Sequence, residues 1–350
     1  MLRNSLLLAA ACILLHLTMS PGQSRAAPSS SENATTGMGG RPVRTFVENV
    51  FFVTNRRRVD TPLASQQFGV ERAENPTYGL ASVDLPVSAA DDHLVDARIS
   101  LQRMTSAELL RRAISSTRVL VYIPGFNHTL AGAVREAAML ARNANLTIPL
   151  VVVSWASQGS RLSYFQDEEE VELAIPMLST LLGDLAQKPG STVTLLCHSL
   201  GSRAVVGSLK RLSISGRLDS LRRISNVVFA APDIFRDRFD AEYMPLVSAN
   251  SFHTTLYVNS RDFWDGLSGF IHGHPRVGDF GAAAPFSRPF ISTVDVSPVD
   301  LSWFGHSVFF DSAYVLNDFY YAAIFDLPPE KRSFLKKINS ATGSYWRLDP

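Results

Sequence analysis

Cysteine is scarce in this sequence, and neither sign of charge is in excess. The 350 residues include two cysteines, too few for a disulfide framework or for a zinc site built from thiolates. Lys and Arg number 33 against 32 Asp and Glu, so we expect no basic surface for nucleic acid or an anionic membrane. With 46% hydrophobic residues, the chain can bury a large core. The composition predicts an ordinary globular protein whose function resides in a local site.

An apolar run near the N-terminus predicts a signal peptide. Arg3 supplies a positive charge, residues 6–19 read LLLAAACILLHLTM, and SRA at residues 24–26 is typical of a cleavage site. The run is shorter than the ~20 apolar residues that span a bilayer. We therefore expect a signal peptide over residues 1–26, export to the periplasm or the medium, and no stable membrane span in the mature chain. Two alternatives are an uncleaved membrane anchor and a lipoprotein acylated at Cys12.

The remaining chain divides into a short polar segment and one folded unit. Residues 27–42 are rich in Ser, Gly and Thr and have no apolar period, which predicts a flexible linker. From there to the C-terminus, neither an internal repeat nor a break in composition marks a second domain. We expect a single domain over residues 43–350.

Short apolar runs alternate with helical patterns throughout this domain. β-Branched and apolar runs predict strands, whereas apolar residues at helical spacing predict helices. The predicted strands are residues 45–54, 78–87, 119–123, 150–153, 193–196, 226–231, 255–258 and 290–296, and the predicted helices are residues 130–143, 170–186 and 202–212. Continuous apolar strands separated by helices are typical of parallel sheets buried on both faces. We therefore expect an α/β fold with a mostly parallel central sheet and helices on both faces.

A nucleophile motif follows the predicted strand at residues 193–196. The sequence CHSLG at residues 197–201 places Ser199 between a strand and a helix, which is the context of a nucleophile elbow. Such a turn lifts the hydroxyl clear of the sheet, and small flanking residues are needed because chain and helix pass close to it. The N-terminus of the helix favours a developing oxyanion. The alternative is that Ser199 only caps the helix.

A second backbone donor is expected after the predicted strand at residues 119–123. The turn PGFN follows at residues 124–127, and its glycine allows the backbone to approach closely. Pro124 has no N–H and cannot be the donor. We therefore expect the N–H groups of Phe126 and Leu200 to form an oxyanion hole, the alternative being a plain strand-to-helix turn.

Five motifs in this order resemble the α/β-hydrolase superfamily. They are PGFN at residues 124–127, SWAS at 154–157, CHSLG at 197–201, APD at 231–233 and GHS at 305–307. More narrowly, the set is similar to a branch of uncharacterised esterase-like and lipase-like bacterial hydrolases. Pro124 departs from that branch, which has His at this position. The resemblance implies an α/β-hydrolase fold and a Ser-His-acid hydrolase that needs neither a metal nor an organic cofactor.

In this fold the triad follows the chain order serine, acid, histidine. Of the histidines after Ser199, His306 follows the last predicted strand, where the fold delivers its base. Asp262 follows the predicted strand at residues 255–258 and is the first choice of acid. Asp233 follows the strand before it and is the alternative acid. We therefore expect a triad of Ser199, Asp262 and His306.

Together with the signal peptide, the resemblance implies an exported serine hydrolase that cleaves small-molecule or lipid-like carboxylic esters through an acyl-enzyme. An acyltransferase or an amidase would use the same triad, and a catalytically silent envelope binding protein is an alternative from another class. Trp155, Tyr164 and Phe165 would lie at the same edge of the sheet, either as walls of an acyl pocket or as core residues. The acidic run at residues 167–170 predicts a helix start favoured by the helix dipole.

Overall fold

The structure is a computed structural model that describes most of the predicted domain. The described residues are 31–36, 42–86, 98–160, 163–250, 252–260, 275–278, 285–299, 308–341 and 343–350. The expected acid Asp262 and the expected base His306 lie outside these residues, as does the predicted signal peptide. Within the described ranges, none of the helices has both the length and the apolar character that crossing a membrane requires.

Strands and helices alternate along the chain. The strands are β1 Ser31–Thr36, β2 Pro42–Arg58, β3 Phe68–Pro86, β4 Arg98–Met104, β5 Arg118–Ile123, β6 Leu150–Ser154, β7 Thr192–His198, β8 Ile224–Ala230, β9 His253–Val258, β10 Ile291–Asp295, β11 Leu335–Ser340 and β12 Gly343–Leu348. The helices are α1 Ser106–Ala113, α2 Leu130–Asn143, α3 Tyr164–Leu173, α4 Ile175–Leu185, α5 Gly201–Ile214, α6 Leu218–Arg222, α7 Arg236–Glu242, α8 Met244–Ala249, α9 Val308–Asp311 and α10 Ala313–Ala323.

The strands among the described residues join one twelve-stranded sheet with a parallel centre. Its order is β11-β12-β10-β9-β8-β7-β5-β6-β2-β3-β4, and β1 pairs with β2. Every neighbouring pair from β2 through β6, β5, β7, β8, β9 and β10 to β12 is parallel. The strands β1, β3, β4 and β11 pair antiparallel at the two ends. The mostly parallel sheet expected from the sequence is confirmed.

Two hydrophobic cores lie on opposite faces of this sheet. In β5, Val119, Val121 and Ile123 pack into one core, while Leu120 and Tyr122 pack into the other. The first core includes residues of α4 and α5, and the second includes residues of α2 and α10. Because both faces of the central strands are covered by helices, their sequences read as continuous apolar runs instead of alternating ones.

The structure differs from the linker interpretation at residues 31–36. These residues form β1, which pairs antiparallel with the beginning of β2, placing Ser31 opposite Val47 and Thr36 opposite Pro42. Strand pairing uses backbone N–H and C=O groups, which every residue type except proline offers in full. A polar segment can therefore pair with the beginning of β2, which extends beyond its pairing with β6, without showing an apolar period in its sequence.

The helix expected over residues 170–186 is two helices. The helix α3 begins earlier than expected, at Tyr164, and α4 starts anew at Ile175 with Pro176 in its first turn. Proline has no backbone N–H, and its ring clashes with the preceding helical turn, so it is favoured at a helix start and interrupts a helix interior. The sequence pattern continued across this break because both helices bury apolar residues in the same core.

Candidate active site

Ser199 lies in a tight turn between β7 and α5. Its φ is 49°, in the left-handed region that a non-glycine residue adopts at a cost of order 1–3 kcal/mol. The Ser199 N–H donates to the carbonyl of Ala230 at 3.1 Å, and the Ser199 carbonyl accepts from the N–H of Asp233 at 3.1 Å. The N–H and the hydroxyl of Ser202 donate to the same carbonyl at 3.1 and 2.7 Å. This is the strand–turn–helix context that the motif predicts.

Two glycines allow the neighbouring backbone to reach this turn. A Cβ on Gly201 would lie 2.5 Å from the carbonyl oxygen of Ile123 and 2.6 Å from that of Pro124. A Cβ on Gly125 would lie 3.0 Å from the Cβ of Ser199. The turn after β5 therefore packs directly on the nucleophile turn, and a side chain at Gly201 would collide with backbone atoms.

The order of the sheet reverses between β5 and β7. The next strand along the chain after β5 is β6, which lies on one side of β5, whereas β7 and β8 follow on the other side. Ligands of open α/β sheets bind outside the carboxyl ends of the strands at such a switch point. Phe126 follows β5 and Leu200 follows Ser199, so the structure brings both expected N–H donors to this edge. Leu200 is fully buried, and Phe126 is half-buried.

Aromatic side chains lie at the same edge. The ring of Phe126 meets that of Tyr164 edge to face with centroids 5.4 Å apart, and the centroids of Tyr164 and Phe165 are 5.9 Å apart. Trp155 is buried, and its indole N–H donates to the carbonyl of Pro124 at 2.9 Å. Trp155 is therefore a core residue, whereas Phe165 is 59% exposed.

Asp233, the alternative acid, lies in a buried network of charges. Its Oδ1 accepts from Arg276 Nε at 3.0 Å and lies 3.5 Å from Arg203 Nη2, while its Oδ2 accepts from the hydroxyl of Tyr164. Arg203 also donates to Glu168 at 2.7 Å. Burial alone would lower the pKa of Arg203, but the carboxylates of Asp233 and Glu168 raise that pKa above its ordinary value. Both carboxylate oxygens of Asp233 are therefore engaged by described donors.

A second polar network joins the ends of β9 and β10. The Oδ1 of Asp295 accepts from the N–H and the hydroxyl of Ser297 at 3.0 and 2.6 Å. The Ser297 hydroxyl oxygen in turn accepts from the N–H of Ser260 at 2.8 Å. The chain continues from these two strand ends toward Asp262 and His306. The network therefore fixes the points from which both segments start.

Two buried charged residues at this edge are not indicated by the motifs. Arg56 is 1% exposed and Asp167 is fully buried, although from the sequence both would be expected at the surface because they are charged. The guanidinium of Arg56 donates to the carbonyls of His128 and Ser157. No local signal in the sequence separates Arg56 from Arg57 and Arg58, which follow it in β2. Asp167 gave no such signal because the acidic run around it resembles an ordinary helix start.

The described residues include side chains that are possible metal ligands. In the part of the chain that the structure describes, His, Cys, Asp and Glu side chains do not gather in groups of three or more that could hold a metal ion. The residues of the site are instead a hydroxyl, backbone N–H groups and paired charges.

A family comparison decides the membership of the chain. Residues 100–321, more than half of the sequence, match the family described as alpha/beta hydrolase of unknown function (DUF900). The chain belongs to this family. The matched residues include Phe126, Ser199 and Leu200 as well as positions 262 and 306. Membership of this family agrees with the mostly parallel sheet. The molecule therefore has an α/β-hydrolase fold, as the five motifs indicated. None of the curated proteins matches the sequence significantly.

Solved structures match this family member only at low similarity. An esterase from Pyrobaculum calidifontis is 10% identical with a TM-score of 0.26, over 82% of this chain and 70% of that one. A glucuronoyl esterase from Solibacter usitatus is 11% identical with a TM-score of 0.28, over 84% and 88%. Plasmodium falciparum PdxK is 11% identical with a TM-score of 0.25. The match covers 45% of this chain and spans only 55% of the length of PdxK. The family and the sheet, not these structures, establish the fold.

Replacing Gly201 by alanine should move the first turn of α5 away from the turn after β5. The new Cβ would meet the carbonyl oxygens of Ile123 and Pro124 at 2.5 and 2.6 Å. Because both are backbone atoms of a buried strand end, we expect Gly201→Ala to lower the free energy of unfolding by ~1–3 kcal/mol. Urea denaturation of the variant and the native protein measures the loss.

Gly132→Ala is the matched control for this substitution. Gly132 lies in α2, and its Cβ would meet its nearest neighbours, His128 and Thr129, at 3.5 Å, an ordinary contact. Alanine is the better helix former, so the control should lose nothing and gain up to ~1 kcal/mol. Equal destabilisation by the two substitutions would contradict the close approach at Gly201.

Proposed function

We propose that this protein is an exported serine hydrolase that cleaves carboxylic esters with a triad of Ser199, His306 and Asp262. The observation that carries the proposal is the strained turn at Ser199, packed against Gly125 at the switch point of the sheet. Backbone strain persists where the surrounding structure imposes it, and such strain is concentrated at functional sites. The proposed substrate is a small-molecule or lipid-like ester.

The proposed mechanism proceeds through an acyl-enzyme. The Ser199 hydroxyl attacks the ester carbonyl while His306 accepts its proton, and Asp262 orients the imidazole and stabilises its protonated form. The N–H groups of Phe126 and Leu200 hold the oxyanion, each contributing ~3–4 kcal/mol to the stability of the transition state. His306 then gives the proton to the leaving alcohol. Water, activated by the same histidine, attacks the acyl group and releases the acid.

The neighbouring thiol does not compete with the serine hydroxyl. Cys197 is fully buried in β7, and its Sγ–H points to the carbonyl of Val228 at 3.5 Å. Burial raises the pKa of the Cys197 thiol well above its ordinary value. The thiol therefore stays protonated at neutral pH and is a poor nucleophile. These observations support Ser199 as the nucleophile.

The contacts of Asp233 favour Asp262 as the acid. Asp233 is 2% exposed and pairs with Arg276 and Arg203, so its negative charge already balances buried positive charge. A triad acid must instead stabilise the protonated histidine. In sequence, Asp262 comes shortly after β9, and the Asp295 network fixes the described end of that segment at Ser260. We assign the triad acid to Asp262 and a structural role to Asp233.

Other activities of this fold differ in ways that can be measured. An acyltransferase or an amidase would share the triad and differ in the acceptor or the leaving group. A silent binding protein would form no acyl-enzyme at all. The strain at Ser199 favours an enzyme over a silent protein, because binding alone does not require a strained serine.

A fluorophosphonate probe tests the nucleophile. The folded protein should be labelled at Ser199, since an activated serine hydroxyl attacks the phosphorus atom, and Ser199→Ala should abolish labelling and p-nitrophenyl ester hydrolysis. Peptide mass spectrometry locates the label. Ser213→Ala, in the last part of α5, is the matched control and should label like the native protein. No label on the folded native protein would refute the enzyme proposal.

Two conservative substitutions distinguish the acids. Asp262→Asn should lower kcat by a factor of about 10²–10⁴ and leave stability nearly unchanged, because the imidazole loses its orienting carboxylate. Asp233→Asn should lower the free energy of unfolding by ~3–5 kcal/mol, because two buried arginines, Arg276 and Arg203, both lose this carboxylate and keep only Glu168 as a charged partner. Its kcat per probe-labelled molecule should stay within about tenfold of the native value. Ester hydrolysis, probe titration and urea denaturation give the three quantities, and the reverse pattern would exchange the two roles.

The N-terminal sequence supports export with cleavage after Ala26. The protein recovered from the periplasm or the medium should have the intact mass of a chain that begins at Ala27. Leu14→Arg, which interrupts the apolar run, should keep the protein inside the cell. Full-length protein in the membrane fraction would support the anchor alternative, and a lipid on Cys12 would support the lipoprotein alternative.

A further inference from the structure

The peptide that carries the Phe126 N–H lies between two peptides with fixed directions. On its N-terminal side, the carbonyl of Pro124 accepts from the indole N–H of Trp155 at 2.9 Å. On its C-terminal side, the N–H of Asn127 donates to Asp167 Oδ2 at 3.2 Å. These two hydrogen bonds restrict the rotation of the peptide between them. An acid on another element therefore takes part in aiming an expected oxyanion donor.

Asp167 is a connecting residue and not a helix cap. It lies in the first turn of α3 and is fully buried, and it accepts hydrogen bonds from loops outside that helix. Besides Asn127, Oδ2 accepts from the Ser157 hydroxyl at 2.6 Å, and Oδ1 accepts from the N–H of Gln158 at 2.7 Å. The carboxylate thus ties the turn after β5 to the turn after β6. The acidic run does lie near the start of α3, as the sequence predicts, but the Asp167 carboxylate is buried and binds other turns.

The turn after β5 needs such a tie because its backbone is unusual. Asn127 has a φ of 62°, in the left-handed region, and its N–H is bound directly by Asp167. The next N–H, that of His128, donates to the Ser157 hydroxyl oxygen at 3.2 Å, and this hydroxyl in turn donates to Asp167. Two successive N–H groups are therefore held by one carboxylate, directly and through one hydroxyl. Asparagine adopts this left-handed conformation more readily than most residues do, but an asparagine alone does not force the backbone into it.

A buried arginine balances the charge of Asp167 and binds the same two turns. The guanidinium of Arg56 donates to the carbonyl of Ser157 at 2.9 Å, to the hydroxyl of Ser154 at 3.2 Å and to the carbonyl of His128. Burial lowers the pKa of Arg56 to about 10. The negative charges of Asp167 and Glu170 act in the opposite direction and raise this pKa, but burial has the larger effect. The guanidinium is therefore protonated at neutral pH. Asp167 holds the N–H groups of these turns, and Arg56 holds their carbonyls.

We propose that Asp167 is a positioning residue for catalysis, which fixes the turn after β5 so that the Phe126 N–H meets the oxyanion formed at Ser199. The inference rests on the proposed function, since it requires Ser199 to form a tetrahedral intermediate. Asp167 touches neither the substrate nor the reacting atoms. It acts through Asn127 and Ser157, and its loss should weaken binding of the transition state more than binding of the substrate.

Asp167→Asn is the decisive variant, because it preserves size and removes the charge. One carboxylate oxygen becomes an N–H₂ group that faces N–H and O–H donors and cannot accept from them. We expect kcat for a p-nitrophenyl ester to fall by about 10-fold to 100-fold and KM to change by less than about threefold. Glu169→Gln is the matched control, two positions along the same helix and exposed, and should match the native enzyme.

A trifluoromethyl ketone gives the readout that a merely structural role would not move. Its carbonyl adds the Ser199 hydroxyl and becomes a tetrahedral oxyanion, so its inhibition constant Ki reports the oxyanion hole directly. For Asp167→Asn, Ki should rise by about the factor by which kcat/KM falls. A smaller folded fraction would lower the measured rate without changing Ki or KM. Thermal unfolding of each variant is recorded alongside.

The outcomes separate this inference from the proposed function. Unchanged Ki and kcat/KM in Asp167→Asn, with an active native enzyme, would overturn the role of Asp167 and leave the hydrolase proposal intact. A native protein that neither hydrolyses esters nor reacts with the fluorophosphonate probe would overturn both. If Asp167→Asn does not fold, Ser157→Ala keeps the carboxylate and removes the link to the His128 N–H. It should then raise Ki by about threefold to tenfold, and an unchanged Ki would overturn the inference.

Discussion

The first turn of α5 lies against the end of β5 with no side chain between the two backbones. Gly201 makes this contact possible, and its missing Cβ leaves the carbonyls of Ile123 and Pro124 within reach of the helix. The position of Ser199 depends on this contact, because β7 must turn sharply to deliver the chain into a helix so close to the neighbouring strand. Gly125 repeats the arrangement on the facing turn. The hydroxyl of Ser199 and the two expected N–H donors consequently share one small region at the carboxyl edge of the sheet.

Buried charges stabilise the turns at this edge and are arranged on both sides of the serine. Arg56 and Asp167 connect the turns after β5 and β6, and Asp233 joins Arg203 and Arg276 beside the turn after β8. Charges are costly to bury unless they are paired and hydrogen-bonded. Turns, however, have no regular backbone hydrogen bonds to fix their direction. In this molecule, paired side chains supply the hydrogen bonds that a helix or a strand would obtain from its own backbone.

The sequence predicted the parallel centre of the sheet because burial on both faces leaves a strong local signal. Every predicted strand overlaps an observed one, and the helix at residues 130–143 has the predicted bounds. The strands β1, β4, β11 and β12 were not predicted, since they lie toward the ends of the sheet and contain polar residues. Periodicity also ran across the boundary between α3 and α4, although Pro176 marked it.

The site was predictable where its signal is local and not where it depends on distant partners. The motif around Ser199 combines a strand, a small residue and a helix start within a few positions, so sequence alone suffices. Arg56, Asp167 and Arg276 are charged residues with at most 1% exposure, and in sequence they cannot be told from surface residues. Their burial follows from partners on other elements, such as Ser154 and Ser157 for Arg56, about a hundred residues away in the chain. A single sequence contains no record of such pairings.

The pairing of β5 with β7 connects the Ser199 turn with the order in which the sheet folds. These strands are neighbours in space, with Ile123 opposite Cys197, although β6 and the helices α2, α3 and α4 separate them along the chain. Contacts between residues far apart in sequence form slowly, because a long loop must close, at a cost in entropy, before these contacts can stabilise the chain. A chain that has formed β7 and α5 alone contains the serine motif but not the turn of β5 that faces it. Reactivity at Ser199 would therefore report that the centre of the sheet has assembled.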